Sequence, residues 1–146
     1  MTGYPPIEEL LPHSGGMVLL DAMVRWAKGE AECRLRIREW ARFVRDGRVP
    51  GVITLEYMAQ AVAACLGYEA LRGGGALRVG MIIACKKFTA HADELEVGDE
   101  LRVLVKCINS NDTLSHFDCR VERGAATFSD AVLTLYHAPV LPEVGR

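Results

Sequence analysis

Glu56 and Gln60 stand four residues apart in PGVITLEYMAQAVAACLGY, a stretch whose only other polar side chains between Gly51 and Gly67 are Thr54 and Tyr57. On a helix, that spacing puts the carboxylate and the amide on one face. A carboxylate among apolar neighbours is costly unless it is hydrogen-bonded or takes up a proton. One use of the pair is structural, with the Gln60 amide donating to Glu56 near a helix start, where negative charge is favoured. The other use is chemical: a general acid or base held by Gln60 in a dry cleft. The backbone amides of Gly51 and Val52 at the helix N-terminus would then bind a carbonyl oxygen as it gains negative charge.

His13 is the second candidate for proton transfer. It lies in LLPHSGGMVLLD, a Pro-His-Ser-Gly-Gly context that reads as a shaped loop, where a histidine either packs and bonds a carbonyl or serves as a base. His91, His116 and His137 fall in strand patterns and read as sheet-face residues. Asp21, in an apolar run, is expected to close a hydrogen-bond network or to point to solvent. The five cysteines, at 33, 65, 85, 107 and 119, occur singly in apolar stretches and read as buried reduced thiols. Neither they nor the histidines and carboxylates cluster at metal-ligand spacing, so no metal site is expected. No GxGxxG, P-loop or GxSxG motif occurs.

These residues need a frame. Pro50 suits the position at or before a first helical turn, and the following run, rich in Ala, Leu and Met, predicts a helix from Gly51 to about Arg72, stopped by Gly73-Gly74-Gly75. Apolar residues occupy nearly its whole circumference up to Gly67, which predicts burial on most sides. Residues 17–27 and 30–38 read as a β-hairpin turning near Lys28-Gly29, since Cys33, Leu35 and Ile37 alternate with charged neighbours. Residues 39–49 read as a short helix or an irregular loop, with a turn at Asp46-Gly47. Four further strands are expected over 78–91, 99–109, 112–123 and 125–138, separated by turn signals. In the second of these, Leu101, Val103, Val105 and Cys107 share a face opposite Arg102 and Lys106. A hairpin, one buried helix and an antiparallel meander give an α+β domain over 1–146, in which the sheet curls around the helix. A second copy of the chain is the simplest cover for the side the sheet leaves open.

Composition narrows the classes. The chain has 146 residues, half of them hydrophobic, enough for one substantial core. Its 17 basic and 19 acidic side chains leave a net charge of -2 with no block of like charge, so nucleic acid is not an expected partner. The N-terminal segment has Glu8 and Glu9 and no continuous apolar run, which argues against a signal peptide. The apolar stretch around 51–67 is too short and too polar to span a bilayer. A cytoplasmic protein is expected.

Three motifs, LLPHSGGMVLLDAMV, PGVITLEYMAQAVAA and the Lys-x-Phe of KKFTAHADELEVGDEL, occur in an order that resembles the 3-hydroxyacyl-[acyl carrier protein] dehydratases. The match covers roughly residues 10–108, and Glu-Tyr-Met-Ala-Gln-Ala on the helix is similar to the dehydratase-like subgroup of aryl-polyene and related polyketide-type clusters. The resemblance implies a hot-dog fold, dimeric, with acyl tunnels at the subunit interface. It also implies a substrate on the phosphopantetheine arm of an acyl carrier protein, and neither metal nor organic cofactor. Glu56 matches the family's catalytic acid, and Gln60 the glutamine one turn later. The family's second catalytic residue, a histidine shortly before Pro-Gly-Val, has no counterpart in ARFVRDGRVPGV, where Arg42 lies near its place.

Three functions follow as expectations. The first is elimination of water from a 3-hydroxyacyl thioester to the trans-2-enoyl thioester, with Glu56 as acid, His13 as base, Gly51 and Val52 as oxyanion donors and Gln60 in the substrate site. The second is a non-catalytic hot-dog subunit in a heterodimer with an active dehydratase. The third is a hot-dog thioesterase, in which Glu56 activates water.

Overall fold

The computed structural model describes residues 3–12, 15–73, 80–111 and 113–137. Strands β1 (Ala22–Ala27) and β2 (Glu30–Arg36) form the expected hairpin, and Gly29 takes a left-handed φ of 81° at its turn. A three-residue strand, β3 (Arg48–Pro50), leads through a 3-10 turn (Gly51–Ile53) into the helix α1 (Thr54–Arg72). Strands β4 (Gly80–Ala90), β5 (Glu94–Glu96), β6 (Glu100–Ser110), β7 (Leu114–Arg123) and β8 (Ala126–His137) complete the domain. Six of them make one antiparallel sheet in the order β1-β2-β6-β7-β8-β4, while β3 and β5 pair separately. The long helix packs on the concave side of this curled sheet, against β1, β2, β6, β7 and β8, giving the hot-dog arrangement.

The alternation read from the sequence sets which side chains reach the helix. Leu101, Val103 and Val105 of β6 are buried, as are Ala31, Cys33 and Leu35 of β2 and Phe117, Cys119 and Val121 of β7. From α1, Tyr57, Met58, Ala61, Val62, Ala64 and Cys65 enter the same core. Cys107 is only half buried and Cys85 is exposed, which corrects the expectation that all five thiols are buried. Burial pushes the thiols of Cys33 and Cys65 up to about 12 and that of Cys119 higher still, so all three stay protonated at neutral pH.

One expected element differs, and one open reading resolves in favour of an irregular loop. Residues 17–21 do not continue β1: a 3-10 turn (Gly15–Met17) is followed by irregular backbone, in which the Met17 carbonyl and the Leu19 N–H bond to the Gln60 side chain and only the Asp21 N–H reaches β2. Residues 39–49 form turns ending in a tight hairpin, with Arg45 bridged to Arg48 across Asp46 (φ 55°) and Gly47 (φ 76°).

The C-terminal half of α1 is fixed by rings. Tyr68 meets Tyr4 and Trp26 edge-on, with centroids 5.2 and 5.0 Å apart, and the Arg72 guanidinium lies 5.6 Å from the Trp26 ring centroid. Trp26 also donates its ring N–H to the Cys65 carbonyl at 3.0 Å. The helix ends at Gly73, the first of the three glycines; Gly74 and Gly75 lie outside the described residues. Among the described residues, no helix is long and apolar enough to cross a membrane.

Candidate active site

The start of α1 is pinned from two sides. Pro50, at φ -59° and ψ 139°, turns the chain from β3 into the 3-10 turn. Gly51 then donates its N–H to the Asp93 carbonyl at 2.8 Å, just before β5. A Cβ at Gly51 would lie 3.0 Å from that same oxygen and 3.2 Å from the Ala92 carbonyl, so any other residue would push this backbone approach apart by a few tenths of an ångström. Behind the turn, buried Thr54 donates its hydroxyl to the Gly51 carbonyl at 2.7 Å and accepts the hydroxyl of buried Ser129, from β8, at 2.8 Å. This geometry corrects one expectation: the Gly51 amide is already bonded to protein and is not an oxyanion donor. Val52, more than half exposed, sits next to it at the mouth of the turn.

One helical turn further on, Glu56 and Gln60 face each other as their spacing predicts. Gln60 is fully buried, and its Nε2 donates to the Glu56 carboxylate at 3.2 Å. The same Nε2 donates to the Met17 carbonyl at 2.7 Å, and Oε1 accepts the Leu19 N–H at 2.9 Å. Both amide hydrogens are therefore used, and the Leu19 and Met17 partners fix which way the amide points. Gln60 acts here as a clamp between α1 and the segment 17–19. The structural use weighed for the pair is present: the network orients a half-buried carboxylate.

The segment 15–21 is tied at two more points. Arg42 donates its Nε to the Gly16 carbonyl at 3.1 Å. Asp21 accepts the Arg36 backbone N–H at 2.8 Å and pairs with the Arg38 guanidinium at 3.0 Å, the network expected of it. Gly16 is three residues beyond His13, which itself lies outside the described residues, as does the side chain of His137. The other two histidines are engaged on the sheet: His91 with the Asp130 carboxylate at 3.2 Å, and His116 with the Thr134 hydroxyl at 2.9 Å.

Glu56 sits on the side of the helix that the sheet covers least. Ile53, Leu55, Ala59, Ala63 and Leu66 are only partly buried, and with exposed Val52 they form an apolar band along α1. Tyr57, by contrast, points inward, and burial pushes its phenol up to about 12. Among the described residues, no three His, Cys, Asp or Glu side chains are grouped to hold a metal ion.

What the sequence did not signal are the partners of these side chains. The carbonyls of Met17, Gly16 and Asp93 and the amide of Leu19 are backbone groups, common to all residue types. The Ser129–Thr54 bond joins residues 75 positions apart.

The solved structures similar to this chain share its architecture. The dehydratase heterocomplex ApeI:P from Xenorhabdus doucetiae matches with a TM-score of 0.88 at 20% identity, covering 94% of this chain and 93% of that one. An HP0420 homologue from Helicobacter felis matches with a TM-score of 0.70 at 14% identity, covering 97% and 96%. A hypothetical thioesterase solved with coenzyme A, from Streptococcus pneumoniae, matches with a TM-score of 0.64 at 10% identity, covering 80% and 84%. At these identities the likeness establishes the hot-dog fold. Comparison with curated protein sequences gave no match. The family model for ApeP-like proteins, described as ApeP dehydratase, matches residues 5–144, nearly the whole chain. The chain belongs to the ApeP-like dehydratase family, in agreement with the three motifs and their order.

Proposed function

We propose that this chain acts on 3-hydroxyacyl thioesters carried on the phosphopantetheine arm of an acyl carrier protein, removing water to leave the trans-2-enoyl thioester. The observation that carries the reading is the Glu56–Gln60 pair, in which a fully buried amide orients a half-buried carboxylate beside an apolar band. In this reading Glu56 gives a proton to the departing hydroxyl, so that water leaves from C3. His13 takes the C2 proton, and the electron pair left behind forms the C2=C3 double bond. Each proton transfer contributes roughly 10²–10⁴ in rate. The Val52 N–H is the donor for the thioester oxygen as it gains charge, and Gln60 acts through Glu56 rather than on the substrate. The reaction uses no metal and no organic cofactor. A second hot-dog subunit, a copy of this chain or another dehydratase, covers the apolar band and completes the tunnel.

A second reading, a non-catalytic subunit paired with an active dehydratase, is favoured by the missing histidine. Arg42, near its place, is bonded to Gly16. A relative of the same fold is a heterocomplex.

The test is to incubate the purified chain, alone and mixed with an active hot-dog dehydratase, with a 3-hydroxyacyl thioester, following both enoyl thioester and free thiol. Enoyl product that is lost on Glu56→Gln supports the first reading. Product formed only in the mixture, and unaffected by that change, supports the second. Free thiol without enoyl product overturns both in favour of a thioesterase.

A further inference from the structure

The loop 91–93, between β4 and β5, holds the start of α1: the Asp93 carbonyl accepts the Gly51 N–H at 2.8 Å, and the Ala92 carbonyl lies against the same glycine. The loop is held in turn by β8. Its His91 donates the backbone N–H to the Phe128 carbonyl at 2.8 Å, and its ring Nε2 meets the Asp130 carboxylate at 3.2 Å. Between those two β8 residues, Ser129 donates its hydroxyl to Thr54 at 2.8 Å, and the Phe128 ring lies 3.4 Å from where a Gly51 Cβ would stand. A register shift opposite Val121 and Glu122 makes this possible, since it leaves Phe128 unpaired with β7 and lets its ring turn inward beside Ser129. Three consecutive residues of β8 therefore carry the turn. Phe128 and Ser129 touch it, and Asp130 reaches it only through His91.

The link through His91 differs from the others in kind. The ring and the carboxylate are 52% and 43% exposed, so both exchange protons freely with solvent. Histidine gains its charge between about pH 8 and about pH 5, a range in which aspartate is ionised. The pair is then a neutral hydrogen bond at the upper end and a charge-assisted one at the lower end. Its charged neighbours keep their charge over that range. Arg120 stands across from Asp130 on β7 and bonds Glu122 through its Nε at 2.6 Å. Asp118 on β7 and Lys106 on β6, opposite each other in register, line a cavity with Asp130. Exposed Lys86 and Lys87 lie on β4, and Asp93 ends the loop itself. Of this set, His91 is the group that changes charge.

We propose that His91 is a positioning residue for the turn that opens α1: paired with Asp130, it fixes the loop whose Asp93 carbonyl holds Gly51, and it does so more firmly as the pH falls. The proposal rests on the reading in which the Val52 N–H meets the thioester oxygen, and adds the group that keeps this donor in place. His91 acts through the loop rather than on the substrate.

The test is amide hydrogen exchange of Gly51, read by NMR on the full chain at about pH 6 and about pH 8. Each rate is divided by its intrinsic value, and the amide of buried Val103 in β6 serves as reference. Protection of Gly51 in the unaltered chain is expected to be roughly threefold higher at the lower pH. His91→Gln keeps a donor for Asp130 but does not titrate, so it should match the unaltered chain at the higher pH and lose the gain at the lower. His91→Ala should lower protection at both. In whichever assembly forms enoyl thioester, the kcat of the unaltered chain relative to His91→Gln should rise from about one to about three between the same two pH values, with KM unchanged. The titration of Glu56 cancels in that ratio. Equal Gly51 protection in the unaltered chain and His91→Gln at both pH values overturns the proposal. So does a His91→Ala chain in which Gly51 and Val103 exchange faster by the same factor, or a kcat ratio that stays at one while protection changes. Protection that follows His91 in a chain that forms no enoyl thioester supports the hold on the turn and strikes down the dehydration reading alone.

Discussion

The two halves of α1 are held to the domain by different physics. At the N-terminal half, Thr54 and Gln60 bond to β8 and to the segment 17–19 at 2.7–2.9 Å, and Gln60 passes that order on to Glu56. At the C-terminal half, Tyr68 packs edge to face with Trp26 and with Tyr4, the Trp26 ring N–H donates to the helix at the Cys65 carbonyl, and beside it the Trp26 backbone N–H donates to the Tyr4 hydroxyl. Ring packing tolerates small shifts, whereas a buried amide with every hydrogen used does not. The contrast teaches where the fold spends polar groups: at the half that must aim a carboxylate, and hardly at all where the helix only needs an anchor.

Three substitutions sharpen or break this comparison. Gln60→Leu has the largest expected effect, because it leaves the Leu19 N–H and the Met17 carbonyl without their partner inside the protein. It should destabilise the domain by roughly 2–4 kcal/mol in denaturant unfolding and lower turnover by loosening Glu56. An unchanged unfolding midpoint would erase the distinction between the two halves. Thr54→Val keeps the shape but strips the Ser129 hydroxyl of its acceptor and the Gly51 carbonyl of one of its two donors, leaving the residue-54 backbone N–H, for about 1–2 kcal/mol. Turnover should fall with it, since the turn bearing Val52 loses its hydroxyl tie to β8. Trp26→Phe, at the other half, removes the bond to the Cys65 carbonyl and shrinks the ring that Tyr68 and Arg72 pack on, for about 1–2 kcal/mol in the same assay. Turnover at the unaltered rate is expected, and a loss as large as that of Gln60→Leu would show that both halves serve the site.

Much of this arrangement was legible in the sequence because side-chain types carry it. The alanine-rich run between Pro50 and Gly73 spells a buried helix, the alternation through Leu101, Val103 and Val105 spells a strand, and the i, i+4 spacing of Glu56 and Gln60 puts them in contact. The ApeP-like family was legible for the same reason, through three motifs in order. What stayed hidden runs through the backbone. Residues 17–21 look like a strand because apolar runs read alike, and nothing in Met17 or Leu19 announces that Gln60 takes their peptide groups. Gly51 reads as a free helix-terminal amide until Asp93, 42 residues on, is seen to accept from it. The three-residue strand β5 is too short to show a period. Cys85 was read as buried from its apolar neighbours, yet it faces solvent on β4.

The central claim, that the polar half of α1 is a working site rather than a brace, is tested most directly by Glu56→Gln in the full chain, in whichever assembly turns over a 3-hydroxyacyl thioester. Formation of the enoyl thioester and denaturant unfolding are measured side by side. The substitution keeps the side chain's size and its place beside Gln60, so stability should stay within about 0.5 kcal/mol while turnover falls by roughly 10²–10⁴. Enoyl product formed at the unaltered rate would contradict the account.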